Sequence, residues 1–159
     1  DVGPDEQMSE QLVISGYLRQ AELLSVACEA IINRAIQEKV SLILEGVHSH
    51  PTLIDKIPRD DSAIVAPIML SVLKAGKLKE HIKGRGKEVP ERRSKRYLEH
   101  FNEIWELQSF LMAEADRHHI PIVSNIDKKK ATQDVMKTIN NIIYPHFSHD
   151  VDKIFPYEK

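Results

Sequence analysis

"VSLILEG" (residues 40–46) is the stretch that decides the fold. A run so short and so uniformly apolar predicts a β-strand covered on both faces, as in a parallel sheet between helices. Ahead of it, apolar and small residues recur at helical spacing from residue 18 to residue 38, which predicts a one-sided helix. The apolar run ends in Glu45 and Gly46, so the pattern places a carboxylate at the carboxyl end of a buried strand.

The rest of the chain continues the alternation of helix and strand. "AIVAPIMLSVL" (residues 63–73) and "IPIVSN" (residues 120–125) predict two more strands, and Pro67 favours an edge or a bulge in the first. A long helix is predicted over residues 90–118 and a final helix over residues 131–143. This order predicts an α/β fold, a parallel sheet flanked by helices. Ligands bind at the carboxyl ends of such strands, so Glu45 and Asn125 are expected on one rim.

Composition bounds the class of protein. The 159 residues fit one domain, and the net charge of -2 gives no electrostatic case for binding nucleic acid or an anionic membrane. A single cysteine, Cys28, excludes an intrachain disulfide and a multi-thiolate metal site. No apolar run approaches the roughly 20 residues of a membrane span, and no secretory signal is visible. The expectation is a soluble, cytoplasmic protein.

The end of the apolar run offers the residues best suited to chemistry. Glu45 either holds Mg²⁺ or accepts a proton from an attacking hydroxyl, or it caps a neighbouring helix or loop. His48 and His50 lack further zinc ligands nearby, so His48 is interpreted as a hydrogen-bonding group near a substrate. Arg19, at the start of the first helix, either binds a substrate phosphate or carboxylate or is simply exposed.

Residues 74–96 carry a strong excess of Lys and Arg over Glu. This region is either a solvated basic face or a mobile lid whose guanidinium groups close over transferring phosphates. Gly84 and Gly86 are the predicted hinge of such a lid. Positive charge at the start of the long helix opposes the helix dipole, and this cost favours a functional role. The arginines concerned are Arg85, Arg92, Arg93 and Arg96.

Two long stretches resemble the 2-phosphoglycerate kinase family of P-loop kinases. They are "GYLRQAELLSVACEAIINRAIQEKVSLILEGVH" (residues 16–48) and "KGRGKEVPERRSKRYLEHFNEIWELQSFLMAEADRHHIPIVSN" (residues 83–125). The resemblance, which extends to residue 143, implies transfer of the ATP γ-phosphate, with Mg²⁺, to a phosphorylated hydroxy acid such as 2-phosphoglycerate. It also implies a P-loop kinase-like three-layer sandwich with an arginine-rich lid and a long helix.

The chain departs from the family in one respect, because it contains no G-x-x-x-x-G-K-[ST] loop to cradle ATP phosphates. The implied fold therefore lacks its first strand and its Walker A loop. Residues 1–144 would form the kinase-like domain, with a lid at about residues 74–96, and residues 145–159 a C-terminal tail. Without the phosphate cradle, this chain alone is expected to be catalytically inactive.

The resemblance also implies roles for individual residues. The implied catalytic residues are Glu45, Arg92 and Arg96, and Glu45 also faces the metal. The implied substrate-binding residues are Arg19, His48, Arg85 and Arg93. Asn125 would lie on the nucleotide side of the rim.

Three interpretations of the whole protein stay open at this point. The first is a small-molecule kinase, of which these residues are the later portion, with a nucleotide and a small phosphorylated substrate as its partners. The second is a noncatalytic phosphate-ligand sensor or regulatory module of the same fold that has lost ATP chemistry. The third is a protein-interaction domain that uses Phe101 and Trp105 of the long helix as an anchor.

Overall fold

The computed structural model of the protein describes residues 4–58, 63–88 and 94–147. In chain order its helices and strands are α1 (Pro4–Glu38), a 3₁₀ helix (Pro51–Lys56), β1 (Met69–Ser71), α2 (Ala75–Glu88), α3 (Ser94–Glu99), α4 (Phe101–Arg117), β2 (Ile122–Ser124), α5 (Lys128–Ile143) and a second 3₁₀ helix (Tyr144–His146). No helix in these ranges is long and apolar enough to cross a membrane.

The two strands form a small parallel sheet with helices on both faces. Met69 pairs with Ile122 and Ser71 with Ser124, and the Asn125 N–H extends the ladder to the Ser71 carbonyl at 2.8 Å. On one face, the Ser71 hydroxyl lies 3.0 Å from the Met112 sulfur of α4. Leu70 points to the other face, where α5 packs. The structure therefore confirms a helix-rich α/β fold with a parallel sheet.

The prediction of a buried strand at residues 40–46 is wrong. These residues form no strand in the structure, and the side chain of Ile43 is 95% exposed. A strand exists only when a neighbour accepts its backbone hydrogen bonds, and within the described ranges no strand lies beside this segment. The apolar sequence of residues 40–46 makes burial favourable, but a buried strand also requires neighbouring elements that cover it.

The other strand predictions fare better. Of the run predicted over residues 63–73, only Met69–Ser71 forms a strand, and it begins two residues after Pro67. Proline has no N–H to donate to a neighbouring strand. A strand that begins only after Pro67 agrees with the prediction that proline does not fit the middle of a paired strand. β2 and α5 form where they were predicted, and α5 begins slightly earlier because Asp127 caps it by accepting from the Lys130 N–H at 2.8 Å.

The predicted long helix is broken at His100. This residue has φ −107° and ψ 34°, outside helical geometry, so the described part of the helix divides into α3 and α4. The break lets α3 pack on α2 while α4 packs on α1 and the sheet. Phe101, directly after the break, is buried, and the Lys79 ammonium lies 4.4 Å from the centre of its ring.

The glycines of the predicted hinge, Gly84 and Gly86, do not lie in a loop, and their role as a hinge stays a prediction. Both glycines lie inside α2, where the backbone is helical. A Cβ atom added at Gly84 would meet nothing within 4 Å, so close packing does not require glycine there. Residues 89–93, which include Pro90 and the start of the predicted long helix, lie outside the described residues.

Candidate functional site

Tyr17 of α1 holds the turn that follows the apolar segment. Its hydroxyl donates to the Val47 carbonyl at 2.9 Å, and the side chain is buried. Burial raises the pKa of Tyr17 to about 12, so the hydroxyl stays protonated and remains a donor. The hydrogen bond fixes Val47 and the residues after it against α1.

His48 is oriented by two residues of α1. Its ring stacks on Tyr17, with ring centres 5.7 Å apart and planes 14° from parallel. Its Nε2 lies 2.9 Å from Oε1 of Gln20, and because an amide oxygen only accepts, Nε2 carries a proton. In the neutral ring, Nδ1 is then left as an acceptor. His48 is therefore a positioned polar group with one nitrogen free to meet a ligand.

His50 is a buried histidine at the start of the 3₁₀ helix. Its Nδ1 accepts from the Thr52 N–H at 3.3 Å and lies 2.9 Å from the Thr52 hydroxyl, which can also donate to it. This capping arrangement leaves the proton of the neutral ring on Nε2. That Nε2 is 4.0 Å from the Glu114 carboxylate, too far for a hydrogen bond, and it is the buried side-chain nitrogen without a partner in the described part of the chain. Burial lowers the pKa of His50; Glu114 opposes that effect, and His118 adds to it.

A cavity of about 370 Å³ lies between α1 and the 3₁₀ helix. It carries charges of both signs, from Glu22 and from Lys56, whose ammonium lies 2.9 Å from the Ser25 hydroxyl and 3.8 Å from Glu29. Ligands with both anionic and hydroxyl groups suit such a wall. The lining residues are Leu18, Ala21, Glu22, Ser25, His48, His50, Thr52, Leu53 and Lys56.

Glu45 lies three residues before His48 and is exposed. Among the residues that the structure describes, no hydrogen bond or ion pair engages its carboxylate. The interpretation of Glu45 as a cap of a neighbouring helix therefore finds no contact to support it. The carboxylate is exposed and, within the described residues, available to a ligand.

The Glu45 carboxylate could bind Mg²⁺ only together with water and substrate phosphates as the other ligands. The described ranges contain no group of three or more His, Cys, Asp or Glu side chains that could hold a metal. Mg²⁺ is commonly bound through one or two carboxylates, with water and substrate phosphates completing its shell. Glu45 suits that kind of site and does not suit a cage made by the protein alone.

Asn125 ends β2 as predicted and lines a second cavity, of about 210 Å³, beside Lys128 at the start of α5. Arg19 is exposed on α1 and Arg96 is exposed on α3; within the described part of the chain, neither forms an ion pair with Glu45. Arg85 belongs to α2, whereas Arg92 and Arg93 lie outside the described residues. Of the predicted residues whose side chains the structure describes, only His48 lines the larger cavity.

Sequence reasoning did not predict the contacts of three residues in this region: Tyr17, which holds Val47, His50, which lines the cavity, and Glu114, which lies 4.0 Å from His50. Tyr17 sits among the apolar residues of α1, and only its hydroxyl sets it apart. The sequence does indicate a helix start at His50, because Pro51 follows it and proline favours the first turn of a helix. Glu114 is buried on α4 with Arg117 as its partner, a contact that no local pattern predicts.

The fold and the cavity define a helix-rich α/β protein with a small parallel sheet and a cavity of mixed apolar and charged lining. The chain is 34% identical over 118 residues to 2-phosphoglycerate kinase of Methanopyrus kandleri, covering 74% of this chain and 36% of the relative. It is 33% identical over 129 residues to that of Methanocaldococcus jannaschii (81% and 40%). It is 30% identical over 145 residues to that of Methanothermobacter thermautotrophicus (89% and 44%).

These relatives confirm the resemblance over most of the chain: it is 2-phosphoglycerate kinase-like. No family model and no solved structure matches it. The chain spans about two fifths of the length of the curated relatives it matches.

Proposed function

We propose that the protein is an ATP- and Mg²⁺-dependent kinase that phosphorylates a small phosphorylated hydroxy acid such as 2-phosphoglycerate. The observation that carries the proposal is the unpaired carboxylate of Glu45, three residues ahead of the cavity-lining His48, in a chain similar to 2-phosphoglycerate kinases. Residues 1–144 would be the later part of a P-loop kinase-like sandwich that lacks its first strand and Walker A loop here, and residues 145–159 a tail.

In the proposed reaction, the free hydroxyl oxygen of the acceptor attacks the γ-phosphorus of ATP. The new oxygen–phosphorus bond forms as the bond to ADP breaks, and the hydroxyl proton is lost. Glu45 would accept that proton or hold Mg²⁺ against the phosphates. Bound Mg²⁺ would neutralise charge on the transferring phosphate.

The remaining predicted residues fit the same scheme by their chemistry. His48 offers Nδ1 to the acceptor at the wall of the cavity, and Arg19 is a further ligand for its carboxylate or phosphate. The lid of residues 74–96 would be built on α2 and α3, which pack on one another. Arg85, Arg92, Arg93 and Arg96 would bring guanidinium groups to the phosphates. Asn125 is proposed on the nucleotide side.

The test substitutes Glu45→Gln in the complete natural protein that contains these 159 residues. Loss of a group that accepts the proton or holds the metal is expected to lower kcat by about 100-fold or more, measured as ADP formed from ATP and 2-phosphoglycerate. The control is Glu38→Gln, at an exposed ion pair with Arg34, for which kcat should be unchanged.

Two results would count against the proposal. Equal rates for the Glu45→Gln and Glu38→Gln proteins would remove Glu45 from the chemistry. Binding of 2-phosphoglycerate by the complete protein without binding of ATP would favour the noncatalytic sensor in its place.

A further inference from the structure

The imidazole of His48 is fixed by one face of α1. Tyr17 and Gln20 are three residues apart on that helix, so their side chains are neighbours. Tyr17 stacks on the ring with the planes 14° from parallel, and Gln20 Oε1 lies 2.9 Å from Nε2. The stack fixes the plane of the ring, and the contact with Gln20 fixes which edge of the ring faces α1. Both the orientation and the proton of His48 are therefore set by the helix.

The Nδ1 atom of His48 is an acceptor that the described residues leave open. Gln20 Oε1 only accepts, so in the neutral ring the proton is on Nε2 and the lone pair is on Nδ1. Within residues 4–58, 63–88 and 94–147, no donor contacts Nδ1. Ionised phosphate and carboxylate oxygens are acceptors too, so they cannot bond to this lone pair. A hydroxyl group can donate to it.

Lys56 offers the opposite chemistry in the same cavity. The Ser25 hydroxyl donates to the Glu22 carbonyl at 2.8 Å, so its oxygen is left to accept from the Lys56 ammonium at 2.9 Å. Glu29 lies 3.8 Å from the same ammonium. These contacts use at most two of the three N–H groups of Lys56 and leave one for a ligand. Lys56 therefore suits an anionic oxygen, which His48 does not.

The two groups lie where a small ligand can meet both at once. His48 and Lys56 line the same cavity of about 370 Å³. Their partners on α1, Gln20 and Ser25, are separated by about 7.5 Å along the helix axis. A ligand that donates a hydrogen bond at one end and carries negative charge at the other matches this pair of groups.

We propose that the cavity holds the acceptor in one orientation, with its free hydroxyl on His48 Nδ1 and an acidic group on Lys56, and that Gln20 is the positioning residue that selects the hydroxyl. The identity of the acid rests on the proposed function, whereas the selection of a hydroxyl rests on the contacts of His48. In this orientation, the oxygen that attacks ATP is the one that His48 holds. An acid of the same shape without the hydroxyl loses the contact with His48 and keeps the contact with Lys56.

The first experiment compares two acids that differ only in this hydroxyl. 2-Phospholactate is 2-phosphoglycerate with a hydrogen atom in place of the hydroxyl, and calorimetric titration without ATP measures the affinity of the complete natural protein for each. The wild type is expected to bind 2-phosphoglycerate about 10-fold more tightly, because only this acid can donate to His48. Lys56→Met is expected to weaken the binding of both acids by about 10-fold or more. Equal affinity of the wild type for the two acids would overturn the proposal, as would unchanged affinity in Lys56→Met.

The second experiment tests Gln20 by the same titrations at pH 8, above the ordinary pKa of histidine. Gln20→Met keeps the length of the side chain but lacks the acceptor oxygen, and the preference for 2-phosphoglycerate should fall to about 3-fold or less. Gln20→Glu keeps an oxygen that only accepts and should retain the preference. So should the matched control, Gln37→Met, at an exposed glutamine of the same helix. A preference unchanged in Gln20→Met, or an equal loss of affinity for both acids, would overturn the role of Gln20.

The ¹⁵N NMR signals of His48 in the same protein at pH 8 report the position of the proton directly. The expected result is a protonated Nε2 and a bare Nδ1, whose signal moves to lower frequency on adding 2-phosphoglycerate but not on adding 2-phospholactate. A proton on Nδ1 in the wild type would overturn the proposal. None of these measurements involves ATP, so a failure to form ADP would contradict the kinase proposal and leave the selection of the hydroxyl standing.

Discussion

The ability of His50 to cap the 3₁₀ helix depends on the protonation state of its ring. The neutral ring caps the 3₁₀ helix, because Nδ1 has a lone pair for the Thr52 N–H. Protonation removes that lone pair and adds a positive charge at the start of a helix, where the backbone dipole disfavours it. The titratable and charged groups near the ring, among the described residues, are Tyr17, Glu114 with its partner Arg117, and His118. Only Glu114 favours the charged ring, and burial outweighs it.

The stability of the protein is therefore expected to depend on pH through His50. Its folded pKa lies below the ordinary value of 6.5, so the unfolded chain binds the proton more readily. The neutral His50 ring makes its full contribution to the free energy of unfolding above pH 6.5. This contribution is lost as the pH falls from 6.5 through the folded pKa of His50. Urea unfolding between pH 5 and 8 measures the loss, and His50→Asn, which keeps a neutral capping side chain, should remove this part of it.

The NMR signal of the His50 ring in the folded protein provides an independent check. A midpoint above that of a model histidine peptide would contradict the argument. So would an unfolding free energy with the same pH dependence in the wild type and in the His50→Asn protein.

At the level of residues, sequence reasoning reached the groups with a chemical signature and missed those defined by packing. Glu45 and His48 stood out because a carboxylate and an imidazole follow an apolar run; His48 lines a cavity, and Glu45 is exposed three residues before it. Tyr17 and Glu114 act through partners 30 and 64 residues away, at Val47 and His50. Such contacts exist only after the chain has folded, so no local pattern shows them.

At the level of elements, local signals were enough for β2 and α5 but not for residues 40–46. α5 has an Asp cap and an amphipathic period, both encoded within the helix itself. A strand requires a neighbour, and residues 40–46 have none in the described ranges. The break at His100 was not predicted for a similar reason. The helices α3 and α4 pack on different elements, and the apolar spacing along the sequence does not show where one helix ends and the next begins.

Gln108 of α4 takes the place of a neighbouring strand at the end of β1. The ladder to β2 uses the Met69 N–H and the Ser71 carbonyl, so the peptide groups of Leu70 and Val72 point to the opposite edge. There the Val72 N–H donates to Gln108 Oε1 at 3.0 Å, and Gln108 Nε2 donates to the Val72 carbonyl at 3.2 Å. A side-chain amide thus reproduces both hydrogen bonds of a strand at a buried residue.

Replacing Gln108 by Leu is expected to lower the free energy of unfolding by about 1–3 kcal/mol. Leucine conserves most of the volume but leaves a buried N–H and a buried carbonyl of Val72 without partners. The measurement is urea unfolding of the 159-residue chain. The control is Gln133→Leu on the exposed side of α5, for which a change within about 0.5 kcal/mol is expected. Equal effects at the two positions would show that Gln108 does not act as an edge partner.

At the scale of the whole molecule, the proposed function would make the described residues one side of a phosphotransfer site. In that proposal Glu45, His48 and the cavity would engage the acceptor, whereas Asn125 follows β2 and lines the second cavity near α5. Nothing in the 159-residue sequence has the form of a loop that wraps ATP phosphates. Acceptor binding and nucleotide binding are therefore expected to separate when the chain is studied by itself.

The 159-residue chain alone is expected to produce no ADP above background from ATP, Mg²⁺ and 2-phosphoglycerate. Phosphoryl transfer depends on positioning the phosphates and on stabilising their negative charge. A single carboxylate provides neither hydrogen-bond donors nor positive charge for the ATP phosphates. Calorimetric titration should therefore detect 2-phosphoglycerate but no saturable binding of ATP, whereas the complete natural protein should bind both. ATP turnover by the isolated chain, abolished by Glu45→Gln, would contradict this division, because the residues described here would then contain the whole site.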